Sequence, residues 1–133
     1  MNLIEVIHQR WAAATALNVL LPASRLFTGL SPDPSLPRAT VNKQSDKPTS
    51  YESDGSSIDA VVLRFLVFHD RHAEAAAIVH QIKAAFDRST FALAGNDVVQ
   101  LMQRVNDFEE QLADGVWQMT IDFECTVYLA AGV

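Results

Sequence analysis

The residues best suited to chemistry lie near the end of the chain, where Asp107 and Glu109 precede an Asp114-Gly115 pair and Asp122 and Glu124 follow it. An Asp-Gly pair between two alternating runs fits a two-residue type I′ turn. That register sets Leu112 opposite Trp117, Phe108 opposite Ile121 and Met102 opposite Val127, apolar against apolar. It also sets Asp107 directly opposite Asp122, with Glu109 and Glu124 diagonal to them. Like charges so placed repel unless a cation, a shared proton or a basic partner compensates. The chemistry implied is a hard divalent-cation site or an acid/base pair of the glycosidase kind. No Gly-rich turn or fixed ligand spacing accompanies these acids, so a protein contact or a solvated acidic face asks for less. Two mismatches remain in this register, Arg104 against Cys125 and Glu110 against Met119, and a β-bulge between them would cure part of the misfit.

Other reactive types are sparse. His69 and His72 flank a strand–helix junction and His80 lies two helical turns further on, but zinc needs a third ligand that no nearby cysteine supplies. His72 and His80 read as surface helix positions. Cys125 is the one cysteine; it points to a dry face without a His–Asp escort, which favours a buried thiol over a nucleophile. GxGxxG, Walker, GxSxG, HExxH and CxxC motifs are all missing. The expectation is therefore no catalytic residue, no metal and no cofactor.

The elements that position these residues follow from pattern. Asn2 with Glu5 resembles a capping box, and Leu3, Ile4, Ile7, Trp11, Ala14, Leu17 and Leu21 form one helical stripe that Pro22 ends. All five prolines fall between Pro22 and Pro48, so this stretch is extended or turning. Residues 25–29 read as a short strand and residues 38–43 as a second, placed at an edge by Pro37. Residues 44–57, QSDKPTSYESDGSS, read as a mobile polar loop. Ala60–Phe68 is apolar on both faces except at Arg64, which predicts a covered mid-sheet strand. Asp70 is expected to cap a helix with Ala75, Ile78, Val79, Ile82, Ala85 and Phe86 inward. After a bridge around residues 91–95 come two long strands, about 97–112 and 116–130. The second alternates without a break from Trp117 to Leu129. Trp11 and Trp117 read as core aromatics. The result is one α+β domain over residues 1–133, ordered α-β-β-β-α-β-β, with two helices packed on a mostly antiparallel sheet.

Composition bounds this further. The chain has 133 residues, 49% hydrophobic and 20% charged, enough for a core without metal or disulfide. No apolar run approaches a membrane span, and the start Met1-Asn2-Leu3-Ile4-Glu5 carries no basic region of a secretory signal, so a cytoplasmic protein without membrane contact is expected. The net charge of −6 is concentrated: in residues 89–133, Arg104 stands alone against Asp97, Asp107, Glu109, Glu110, Asp114, Asp122 and Glu124. Such a field repels phosphate and argues against specific nucleic-acid binding.

Taken in order, the N-terminal helix, the Ser24–Gly29 strand, the Pro32/Pro34/Pro37 link, residues 61–68, the alanine-rich helix from Ala73 to Asp87, the Phe91-Ala92-Leu93-Ala94-Gly95 bridge and the Gly115-Val116-Trp117 opening of the last strand resemble the tail-completion or tail-terminator (tail-to-head joining) proteins of long-tailed bacteriophages. The polar segment 44–57 is a departure from that pattern. The resemblance implies a non-enzymatic virion tail protein, assembled in the host cytoplasm as a ring, commonly a hexamer. Such a ring caps the tail tube, ends its polymerisation and joins it to the head connector. It carries over no catalytic residues. A ring subunit needs two complementary surfaces, and basic Arg38, Lys43 and Lys47 with acidic Asp107, Asp122 and Glu124 are the expected pair. An acidic lumen would let DNA pass without sticking. Two alternatives stand beside this: a dimeric binding module holding a small ligand, and a hydrolase using the hairpin carboxylates.

Overall fold

Asn2 accepts the Glu5 N–H at 2.9 Å and starts helix α1 (Leu3–Ala13). The computed structural model describes residues 2–131 of the chain. The expected single helix to Leu21 is in fact two, because the chain breaks at Ala14 before α2 (Thr15–Leu20). The break is closed by the Ala14 N–H, which bonds the Arg10 and Trp11 carbonyls, and by the Trp11 indole N–H, which donates to the Leu21 carbonyl at 2.8 Å. The turned α2 folds back so that Leu17 and Leu21 both join Trp11 in the core. None of the described helices is long and apolar enough to cross a membrane.

One 3-10 turn (Ala23–Arg25) leads to β1 (Leu26–Thr28), which runs parallel to the start of β2 (Arg38–Tyr51). The loop expected at 44–57 is a correction: residues 44–51 continue β2 and pair antiparallel with β3 (Ser57–His69), leaving only 52–56 as a turn. Pro48 fits because no strand among the described residues pairs with the outer side of β2 past Val41, so its missing N–H costs no ladder bond. Two register shifts absorb the irregular sequence, between Lys43 and Ser45 and between Pro48 and Ser50. The edge position expected for residues 38–43 applies from Asn42 onward, since β1 covers 39–41.

Helix α3 (His72–Phe86) begins at Arg71 without a side-chain cap; Asp70, expected in that role, lies beside His69 Nδ1 instead. The expected bridge contains a further strand, β4 (Ser89–Ala92), paired with the start of β5 (Val98–Gln111), and β6 (Trp117–Leu129) closes the chain. The sheet order is β1-β2-β3-β6-β5-β4, antiparallel except for β1–β2, so the α+β class holds. β3 lies mid-sheet as expected.

All three helices pack on one face. Val61, Leu63, Phe65 and Val67 of β3 and Met119, Ile121, Phe123, Cys125 and Val127 of β6 are buried beneath them, which bears out the alternation read in the last strand. Phe65 is the hub, with Trp11, Phe86 and Phe123 rings at 6.1, 5.4 and 5.6 Å.

Beside the turn the β5–β6 register differs from the expected one by a single residue, and each of the two irregularities further along β5 adds to the offset; past the first, Met102 faces Cys125 rather than Val127. Gln111 faces Trp117 and Asp107 faces Ile121, because the turn has three residues, Ala113-Asp114-Gly115, closed by the Leu112 N–H on the Val116 carbonyl at 2.8 Å. Gly115 takes φ +87° but Asp114 keeps a negative φ, whereas a two-residue type I′ turn would need both positive, and Asp114 accepts the Val116 N–H at 3.0 Å. The β2–β3 turn repeats this device: Gly55 has φ +91° and Asp54 accepts the Ser56 N–H at 2.9 Å. No atom of the rest of the chain lies within 4 Å of a Cβ added at Gly115, and only Ala131 Cβ approaches one at Gly55, at 3.9 Å. The cost of a side chain is therefore backbone strain alone. Gly115→Ala and Gly55→Ala are each expected to lower stability by about 1–2 kcal/mol in urea unfolding, additively, since the turns lie at opposite ends of the sheet.

Candidate functional site

The one-residue shift decides where the charged side chains of β5 beside the turn point, while pairing with β3 keeps those of β6 in place. Asp107 and Asp122, expected to oppose each other, lie on opposite faces. Asp107 joins the helix face, where Lys83 of α3 contacts its Oδ2 and Arg104 its Oδ1 at 3.2 Å. Asp122 lies on the open face, where Arg64 of β3 clasps it with two bonds of 2.8 and 3.1 Å. Glu109, expected on the diagonal, turns to α3 and meets His72 Nε2 at 3.0 Å. Glu124 stays on the open face, opposite Val62 and Gln103. The repulsion that motivated a cation or acid/base site therefore does not arise. Arg64, Lys83 and His72 are the partners that sequence reasoning missed; the signal available was Arg64, a lone base in an apolar strand.

A carboxylate pair exists elsewhere. Asp46 of β2 and Asp59 of β3 approach on the helix face near Lys43, whose Nζ is 3.5 Å from Asp46. Burial first, then Asp46, push Asp59 above the usual carboxylate range. Asp107 moves the other way: the Lys83 ammonium, aided by Arg104, holds its carboxyl below that range despite an opposing push from burial. Among the described residues no three His, Cys, Asp or Glu side chains converge as a metal would require.

The histidines do not converge. His69 is buried, with Nδ1 accepting the Arg71 N–H at 3.0 Å and Nε2 3.2 Å from Glu74. His72 stacks edge-on to Trp117 at 4.6 Å, which leaves Trp117 half-buried at the margin of the core rather than inside it. His80 borders a groove of about 440 Å³ between α3 and the end of β5, shared with Lys83, Asp107 and Glu109. Cys125 is fully buried, and burial, with a smaller contribution from Glu124, pushes its thiol up to about 12. At neutral pH it stays protonated and unreactive.

The expected interface residues fall into two groups. Lys43 and Asp107 are on the helix face; Arg38, Lys47, Asp122 and Glu124 are on the open face. That open face is unusual in what it buries. Thr120 and Asp122 are 2% and 8% exposed without any helix above them, shielded by Arg64 and its neighbours. Thr40, on the same face, is also buried and its hydroxyl has no partner among the described residues. Half-buried Val62, Leu66 and Phe68 continue the apolar surface, with Arg38 over the Phe68 ring at 4.3 Å and Phe108 49% exposed at its margin. The arrangement is an apolar sheet face with a charged clasp at its centre.

The fold and these surfaces define a small α+β subunit whose unspent surface lies on sheet face and sheet edges. Its sequence matches the model of the family described as "Tail completion protein gp17" over residues 5–128, and the chain belongs to that family. It is thus a structural protein of a phage-type tail, as the resemblance implied. No curated protein matches it. Among solved structures, a chain in the "Virion of native gene transfer agent (GTA) particle" superposes with a TM-score of 0.73 over 92% of both chains at 12% identity, a likeness of fold.

The two shifted carboxyls give opposite pH behaviour. A depressed folded pKa adds stability above the unfolded value and loses it as pH falls; a raised one subtracts stability at neutral pH and recovers it on acidification. Asp107→Asn is expected to cost about 0.5 kcal/mol of stability at pH 7, for a pair about one-third exposed, and so to lower the melting temperature. Asp59→Asn is expected to raise it. The Asp59 difference shrinks toward zero by about pH 3, where that carboxyl is protonated folded and unfolded, whereas the Asp107 difference starts to fall only below about pH 4 and persists until the depressed carboxyl is itself protonated; thermal melts across that range check the signs.

Proposed function

We propose that this protein forms a ring on the end of a tail tube, stops the tube's polymerisation and offers the head connector its docking surface. The observation that carries the proposal is the family match over residues 5–128. The ring is a hexamer in the assembled tail, built in the host cytoplasm and carried in the virion. Its partners are its own copies, the tube protein and the connector protein.

The surfaces divide between these partners. Arg38, Asp122 and Glu124 sit on the open face, which we assign to the tube or connector. Lys43 and Lys47 on β2 and Asp107 on β5 lie along the two outer strands, where neighbouring copies meet. The excess of acid in residues 89–133 suits a channel that nucleic acid crosses without adhering. The fold likeness to a chain of a gene transfer agent virion supports the same setting, a particle with head and tail.

Removing the gene from the producing genome tests this directly. Electron microscopy is expected to show full heads separate from tails, and tubes longer than those of wild type. Purified protein added to such an extract is expected to restore joined particles. Joined particles of normal tail length in the absence of the protein would overturn the proposal.

A further inference from the structure

The two outer edges of the sheet are bare in a diagonal pattern. β1 covers β2 only at 39–41, and β4 covers β5 only at 98–102. The next backbone donor on β5, the Arg104 N–H, is taken by Asp87 at 2.9 Å. Residues 43–51 of β2 and 105–111 of β5 therefore face outward with no strand beside them, among the described residues. Because β2, β3, β6 and β5 are successively antiparallel, β2 and β5 run in opposite directions. A copy displaced sideways presents its β2 antiparallel to the first copy's β5.

We infer that the bare part of β2 in one copy pairs with the bare part of β5 in the next, continuing one sheet from subunit to subunit. This deepens the proposed function and rests on its ring. Charge selects the pairing. The β2 segment holds Lys43 and Lys47 against Asp46, whereas the β5 segment holds Asp107, Glu109 and Glu110 with no base. Unlike edges attract and like edges repel, so the contact is head-to-tail, the kind that closes a ring by rotation. Large apolar side chains stand out on both edges, Tyr51 at 77% exposure on one and Val105 and Phe108 at 53% and 49% on the other. The lysines, Pro48 and the bulges on β2 and the bulge at Val105 on β5 guard the edges against indiscriminate addition, and Pro48, lacking an N–H, leaves the seam one ladder bond short at most.

The diagonal sets a stagger. Across the sheet Phe108 is level with Thr120, Leu66 and Thr40, whereas the bare part of β2 centres on Lys47. Neighbouring copies are thus offset by roughly seven residues, about 23 Å at 3.3 Å per residue. Offset strands tilt as a sheet closes on itself, the geometry of a barrel wall.

Cysteine pairs test the seam. In a continued sheet Lys47 lies on the same face as Asn106, Phe108 and Glu110, while Glu109 points to the other face. Lys47→Cys protein is mixed in turn with Asn106→Cys, Phe108→Cys, Glu110→Cys and Glu109→Cys protein, assembled on tail tubes and mildly oxidised; buried Cys125 takes no part. A disulfide-linked pair is expected with at least one of the first three, at least tenfold less with Glu109→Cys, and none from any variant alone. Linking by one variant alone, equal linking through Glu109→Cys, or no linking with any of the four on capped tubes would overturn the seam. Tube length separates the two ideas: capped tubes without disulfides leave the capping role standing, and disulfides on overlong tubes leave the seam standing and remove the capping role.

Discussion

One glycine conformation governs the chemistry of this chain. Gly115 at φ +87° lets the last hairpin turn in three residues, and the resulting register sends Asp107 to the helix face, away from Asp122, which β3 holds on the open face. A shift of one residue would turn Asp107 to the open face. It would then leave Lys83 and face Asp122 across the strands. The Lys83–Asp107 pair is in this sense a product of the turn. The individual contributions of this pair and of Arg64–Asp122 are small, but together they determine that the acid-rich end of the chain is internally neutralised on one face and clasped by Arg64 on the other.

Helix burial and surface use are divided with equal clarity. The Trp11, Phe65, Phe86 and Phe123 cluster takes all three helices to one side, so stability is supplied there and the opposite face is left to contacts outside the chain. An enzyme of this size would be expected to gather its titratable groups into one cleft. Here Lys83, Asp107 and Glu109 share the groove beside α3, but each is paired off, Asp107 with Lys83 and Glu109 with His72, and Arg64–Asp122 lies on the other face.

Much of this architecture was legible in residue order. The alternation from Trp117 to Leu129, the stripe of α3 and the apolar run of β3 each carry a strong period, and each element formed where the period lay. The end of β2 did not, because a strand with a neighbour on one side only and solvent over most of its length has no apolar alternation to show. QSDKPTSY reads as loop until β3 is placed beside it. The helix break at Ala14 had no local signal either, since it is imposed by the Trp11–Leu21 bond and not by a breaker residue. The hairpin length was a closer matter. Asp-Gly suits both two- and three-residue turns, and the discriminating evidence was the misfit of Glu110, which the observed register removes by setting it opposite Gln118; Arg104, beyond the bulge at Val105, still faces an apolar residue, Phe123. Of the site, the charged residues themselves were visible, and their partners were not, because partnership depends on a face assignment one residue in error.

The two shortest strands have a further consequence. β1 spans three residues and β4 four, too little to add much to the core. In the proposed seam they would act as end stops: a neighbour's strand could slide over the uncovered edge only until it abutted one of them. Their lengths would then gauge the slant of the assembled wall and, through it, the bore of the ring, making three or four residues at a margin the ruler for a passage many times their size.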